Sequence, residues 1–125
     1  MITKDVAEKI LETYKQAWIK QDVAKILSIF TQDAEYKERA FEKPHKGHKG
    51  IASYWQDKVC DEQSNITFKL LNYYVIDNVL IAEWDASFDS NIKKHRTRIK
   101  EVAIMEIKEG KISSLREYWQ SKKVD

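Results

Sequence analysis

The order of its patterns predicts an α+β domain, with a highly curved, mainly antiparallel sheet packed on three N-terminal helices. Three observations predict it. Apolar residues recur at helical spacing through the first part of the chain, strict alternation begins at Ile66, and three turn signals follow at short intervals. Helices first and strands afterwards means α+β rather than alternating βαβ units.

Val6, Ile10, Leu11, Tyr14, Ala17 and Trp18 lie on one stripe of a first helix, which Thr3 or Asp5 can cap. Asp22 starts a short second helix expected to carry Val23, Ile26, Leu27 and Phe30. Ala34 to Glu38 reads as a short strand. Pro44 and Gly47 interrupt the chain before a third helix bearing Ile51, Tyr54, Trp55 and Val59. A four-strand meander follows: Ile66 to Ile76, Val79 to Phe88, Arg96 to Ile107 and Ile112 to Trp119. Asp77-Asn78, Ser90-Asn91 and Glu109-Gly110 are its turns. A curved sheet wrapped around helices leaves a cone-shaped cavity, a natural small-molecule site.

A chain of 125 residues makes one domain, 1–125. With 22 basic and 20 acidic residues the charge is +2, too balanced to imply nucleic acid. Cys60 is the only cysteine, so no intrachain disulfide can form. The start lacks the apolar run of a signal peptide and no stretch approaches membrane-span length. The expectation is a cytoplasmic protein with no membrane partner. Long strands such as Arg96 to Ile107 have two faces and one core covers only one, so a homodimer through the open sheet face is expected. Tyr73, Ile104 and Tyr118 would be exposed there.

Glu38 shares strand parity with Ala34 and Tyr36 and so points inward, where a partly desolvated carboxylate suits a general base. Arg39, of opposite parity, is expected to point away. The plain alternative is a strand-end glutamate paired with Arg39 or Lys37 in solvent. Trp18, Tyr36, Trp55 and Trp119 are candidate walls for a small apolar molecule, or ordinary core. Glu83 and Asp85 share one face of their strand; Leu80, Ala82, Trp84, Ala86 and Phe88 form the other. Either face could line the cavity. His45 and His48 sit in a lysine-rich loop without carboxylate or Cys company, so no metal is expected, and no cofactor motif is present. Arg96, Arg98 and Lys100 read as a solvated strand face.

The stretches "YKQAWIKQDVAKILSIFTQDAEYKER", "PHKGHKGIASYW" and "EGKISSLREYW" resemble the nuclear-transport-factor-2-like superfamily of SnoaL-like cyclases, ketosteroid isomerases and limonene epoxide hydrolases. The resemblance implies a cone-shaped, cystatin-like roll. Against ketosteroid isomerases, Tyr14 matches the tyrosine that donates to the oxyanion and Glu38 matches the carboxylate base. The third element of that site, a protonated aspartic acid on the penultimate strand, falls near Val102 or Ala103. Against limonene epoxide hydrolases, Asp85 and Glu117 match two site carboxylates, and Glu83 replaces an arginine. The implied function is a small-molecule-binding protein with an enclosed apolar pocket. Its implied chemistry is isomerase, cyclase or lyase proton transfer by Glu38 and Tyr14. A ligand carrier or a dimeric interaction module is the alternative.

Overall fold

The computed structural model describes residues 1–124. The first helix, α1 (Lys4–Lys20), is fixed at both ends. Thr3, rather than Asp5, caps it by accepting from the Val6 N–H at 3.2 Å. Gln21 ends it in the left-handed region at φ 53°, its N–H returning to the Ala17 and Trp18 carbonyls. The predicted stripe is the buried one: Ala7, Ile10, Leu11, Tyr14, Ala17 and Trp18. Asp22 caps α2 (Val23–Leu27), accepting from Lys25 N–H at 3.0 Å. Phe30 does not extend this helix. It opens strand β1 (Phe30–Lys37) and is fully buried.

A two-residue strand β2 (His45–Lys46) precedes α3 (Gly47–Tyr54), which runs directly into a π-helical segment, Trp55–Cys60. Gly47 has φ 67°, and a Cβ there would sit 3.2 Å from the Gln32 carbonyl oxygen, so both backbone conformation and space favour glycine. The remaining strands are β3 (Gln63–Ile76), β4 (Val79–Ser90), β5 (His95–Lys108) and β6 (Lys111–Val124). The curved, open sheet has the order β2-β1-β6-β5-β4-β3. β3 to β6 form the expected antiparallel meander, whereas β1 lies parallel to β6.

Register settles which faces point inward. Leu80, Ala82, Trp84 and Ala86 of β4 are buried, so the apolar face of that strand faces the helices. Tyr73 is not on the outer face as its parity with the strand start suggested. Leu70 pairs with Trp84 and Asn72 with Glu83, so one extra residue, Leu71, bulges there and reverses the alternation. Tyr73 therefore turns toward α1 and its hydroxyl donates to Glu8 at 2.8 Å, while Tyr74 is 57% exposed. The core is aromatic-rich. Trp55 and Trp84 are essentially fully buried, and cutting either to Ala would cost about 3–5 kcal/mol. No helix among the described residues is long and apolar enough to cross a membrane.

Candidate active site

Between the helices and the concave sheet face lies a cavity of about 560 Å³, open at one end. Seven aromatic side chains line it: Tyr14, Trp18, Tyr36, Tyr54, Trp55, Phe88 and Trp119. Exposed Glu42, Lys58 and Lys93 stand at its mouth. The cavity is thus aromatic-walled, but it is neither enclosed nor uniformly apolar, because carboxyl groups reach its interior.

The innermost polar groups come from three distant parts of the chain. Glu101 on β5 faces Trp119 on β6, and Ala103 faces Glu117. Glu101 and Glu117 are therefore diagonal neighbours on the inner face, within carboxyl–carboxyl hydrogen-bond reach. Both are buried, at 4% and 6% exposure. Burial pushes the Glu101 carboxyl well above the ordinary carboxylate range, and the neighbouring Glu117 pushes it further. Burial also raises Glu117, but hydrogen bonds from Glu101, Tyr36 and Tyr14 oppose this. Burial thus favours the protonated form of the pair, most strongly at Glu101, while the hydrogen bonds to Glu117 favour its ionised form. Tyr14 donates to Glu117 at 3.2 Å, Tyr36 donates to the same oxygen, and the two hydroxyls lie 2.8 Å apart. Burial keeps both tyrosines protonated, their pKa values raised well above the usual phenol value. The Trp84 indole N–H lies near enough to favour ionised Glu101, yet it meets no acceptor at hydrogen-bond geometry. Among the described residues, no Lys or Arg forms an ion pair with either acid.

Glu38 reaches the cavity from just beyond the end of β1, with its side chain 15% exposed. The Trp119 indole N–H holds the Glu38 carbonyl at 2.8 Å. Arg39 does not point away. β1 ends at Lys37, so strand alternation no longer governs the next two residues. Arg39 lies 3.5 Å from the Glu38 carboxylate and its guanidinium sits 5.1 Å over the Trp119 ring.

Of the residues expected at a site, Tyr14, Trp18, Tyr36, Glu38, Trp55, Glu117 and Trp119 line this one cavity. Trp18 is held by its N–H to Gln63 at 2.8 Å. Asp85 does not join them. It lies on the outer face, where Arg98 donates to it at 3.0 and 2.5 Å and holds its carboxyl below the usual range. Glu83, also outward, accepts from Asn72. His48 contacts the Phe30 carbonyl at 2.9 Å and His45 stacks on Tyr54.

Two residues were missed. Glu101 is a buried acid on the penultimate strand, next to the Val102 and Ala103 positions where the resemblance implies the third element. Its signal was present: Thr97, Ile99, Glu101, Ala103, Met105 and Ile107 alternate, so one acid stands in a largely apolar row. Tyr54 is the other.

Residues 11–115 match the model of the SnoaL-like domain family. No curated protein matches the chain in sequence. Among solved structures, it is similar to the epoxide hydrolase/cyclase-like enzyme SalBIII, described in pyran ring formation in the polyether salinomycin. That likeness has TM-score 0.81 and 21% identity, over 96% of this chain and 95% of that one. A putative isomerase from Bacillus subtilis aligns with TM-score 0.80 and 19% identity, over 96% and 90%. An LEH-like epoxide hydrolase of M. tuberculosis aligns with TM-score 0.77 and 15% identity, over 93% and 84%. At these identities the likeness to each structure shows the fold alone.

Proposed function

From the premise that this chain belongs to the SnoaL-like domain family, we propose that it is an enzyme transferring a proton next to a carbonyl of a small uncharged molecule, in an isomerisation, cyclisation or related lyase step. One observation carries this reading: a buried acid whose titration burial raises, Glu101, and a carboxylate paired with a cation, Glu38, reach the same aromatic cavity. The structural neighbours named as a cyclase-like enzyme and a putative isomerase are compatible with it.

The roles follow from which groups are already engaged. Glu117 already accepts from Tyr14, Tyr36 and Glu101, so it has less free acceptor capacity than Glu38. Glu38 makes only the long contact to Arg39 and has capacity to accept a proton. In this reading Glu38 takes a proton from the carbon beside the carbonyl and becomes a neutral acid. The electron pair moves onto the carbonyl oxygen as an enolate. Where a C=C bond lies β,γ to the carbonyl, the resulting dienolate takes the proton back at the γ carbon and the double bond moves into conjugation, which completes an isomerisation. The enolate oxygen is stabilised by a hydrogen bond from a hydroxyl of the cavity wall, a role that the resemblance implies for Tyr14.

β-Tetralone, a compact ketone with acidic protons beside its carbonyl, tests the reading without knowledge of the natural substrate. Its proton exchange in heavy water is followed by NMR. The protein should accelerate exchange, and Glu38→Gln should slow it by on the order of a hundredfold or more while the thermal melt is kept. Exchange that Glu38→Gln leaves unchanged would remove Glu38 as the base. Binding with no acceleration would favour the ligand-carrier reading of the same cavity. We also propose that the outer sheet face, with Ile104 and Tyr118, joins two copies of the chain.

A further inference from the structure

We infer that Tyr54, rather than Tyr14, gives the hydrogen bond to the substrate oxygen, and that the ligand is an uncharged molecule with an exposed acceptor oxygen, such as a ketone or enone. This rests on the cavity being the substrate site proposed above, and it names the donor and the ligand class.

The argument begins with the hydroxyl inventory. Tyr14 and Tyr36 both donate to Glu117, so their protons are committed within the protein. Tyr54 lines the same cavity, and its hydroxyl makes no hydrogen bond among the described residues. Its ring is held firmly. His45 stacks on one side at 4.4 Å with planes 21° apart, and Tyr36 lies 5.3 Å away. A fixed ring with an uncommitted hydroxyl is a preorganised donor, because little reorganisation is needed when an acceptor arrives.

Electrostatics keep that donor loaded. Burial raises the Tyr54 pKa well above the usual phenol value, and Glu117, Glu38 and Glu101 raise it further. The phenol therefore stays protonated throughout the neutral range.

Tyr54 closes α3 just before the π-helical segment, and the next residue, Trp55, also lines the cavity, but its indole N–H is buried out of a ligand's reach, which leaves the Tyr54 hydroxyl as the donor. The carboxyl groups of Glu38, Glu101 and Glu117 restrict what can supply the acceptor. An anionic ligand would add a like charge beside Glu38 and Glu117. A neutral carbonyl oxygen satisfies the Tyr54 donor without that penalty.

The test compares β-tetralone with dihydronaphthalene, a hydrocarbon of similar shape, and with tetralin carboxylate, an anion of similar shape. Binding is read by NMR titration, and the bound ketone's carbonyl stretch by infrared difference spectroscopy. Wild type should prefer the ketone to both analogues, with its carbonyl band shifted to lower frequency than in an aprotic solvent. Tyr54→Phe keeps the ring stack. It should weaken ketone binding about three- to tenfold, leave hydrocarbon binding unchanged and return the band toward its aprotic position. Tyr74→Phe, on the outer face, should do none of this. A band still shifted in Tyr54→Phe, or a wild type that binds ketone no better than hydrocarbon, overturns the inference. The base is judged separately. Lost selectivity in Tyr54→Phe supports this inference even if Glu38→Gln leaves proton exchange intact. A Tyr54→Phe protein that keeps its selectivity refutes it even if Glu38→Gln abolishes exchange.

Discussion

Glu101 ties stability to pH. Burial favours its neutral form in the folded chain, whereas the unfolded chain leaves it in water near the ordinary carboxylate value. Its folded pKa is raised, so the folded state holds the proton to higher pH. The stability this contributes is full below the ordinary carboxylate range and is lost as pH rises through the raised titration of the Glu101–Glu117 pair. Glutamine cannot lose a proton. Glu101→Gln should therefore gain on wild type as pH rises, its melting temperature relative to wild type being higher at about pH 9 than at about pH 5. A difference that stays constant between those pH values would show that Glu101 is not the proton holder. The same residue shows why part of the site was legible and part was not. Glu38 stood out because an acid interrupted a short inward row. Glu101 interrupts a longer row in the same way, but it stands one residue before the Val102 and Ala103 positions that the resemblance implies.

The elements show where periodicity stops being informative. Alternation put Ile104 and Tyr118 on the outer faces of β5 and β6 and separated the two faces of β4 without choosing between them; the pairing chooses, because paired strands with one buried face have a single workable register. Alternation failed on β3, where the Leu71 bulge reverses parity, and beyond Lys37, where β1 ends. It also gave no sign of the π-helical segment after α3, whose wider turn departs from the helical spacing used to read Tyr54 and Trp55. That segment is held from outside. The Gln21 amide donates to the Val59 carbonyl at 2.8 Å and the Gln63 carbonyl at 2.6 Å, joining the end of α1 to the last turn of that segment and the start of β3. Gln21→Ala leaves those carbonyls without these partners and should cost about 2 kcal/mol in chemical denaturation. Amide exchange should quicken first between Val59 and Gln63. Uniform exchange throughout the chain would mean that the amide does not hold this segment.

For the whole molecule, the two faces of the sheet divide the work. The concave face carries the cavity. The outer face combines Ile81, Val102, Ile104 and Tyr118 with the ion pairs Arg98–Asp85 and Arg116–Glu106. Tyr118 is 48% exposed. An apolar centre flanked by ion pairs suits association of two copies. Sedimentation velocity at micromolar concentration should give the mass of two chains, and Ile104→Lys should reduce it to one. A wild-type monomer under those conditions removes the dimer. The layered fold was readable because helical spacing and alternation occupy separate halves of the chain. The chemistry was less readable because it depends on which distant residues the sheet brings together.

That convergence has a consequence for how the protein comes into being. Tyr14 and Glu117 are 103 residues apart, and Tyr36 and Glu117 are 81 apart. The parallel pairing of β1 with β6 spans a comparable stretch of chain. Hairpins β3–β4 and β4–β5 can close early over short loops, but β1 finds its neighbour only after β6 has been made. During synthesis, Tyr14, Tyr36 and Glu38 wait without the acid they are to meet. The site is thus a product of the last long-range closure, and ligand binding by a nascent chain would report that folding is complete.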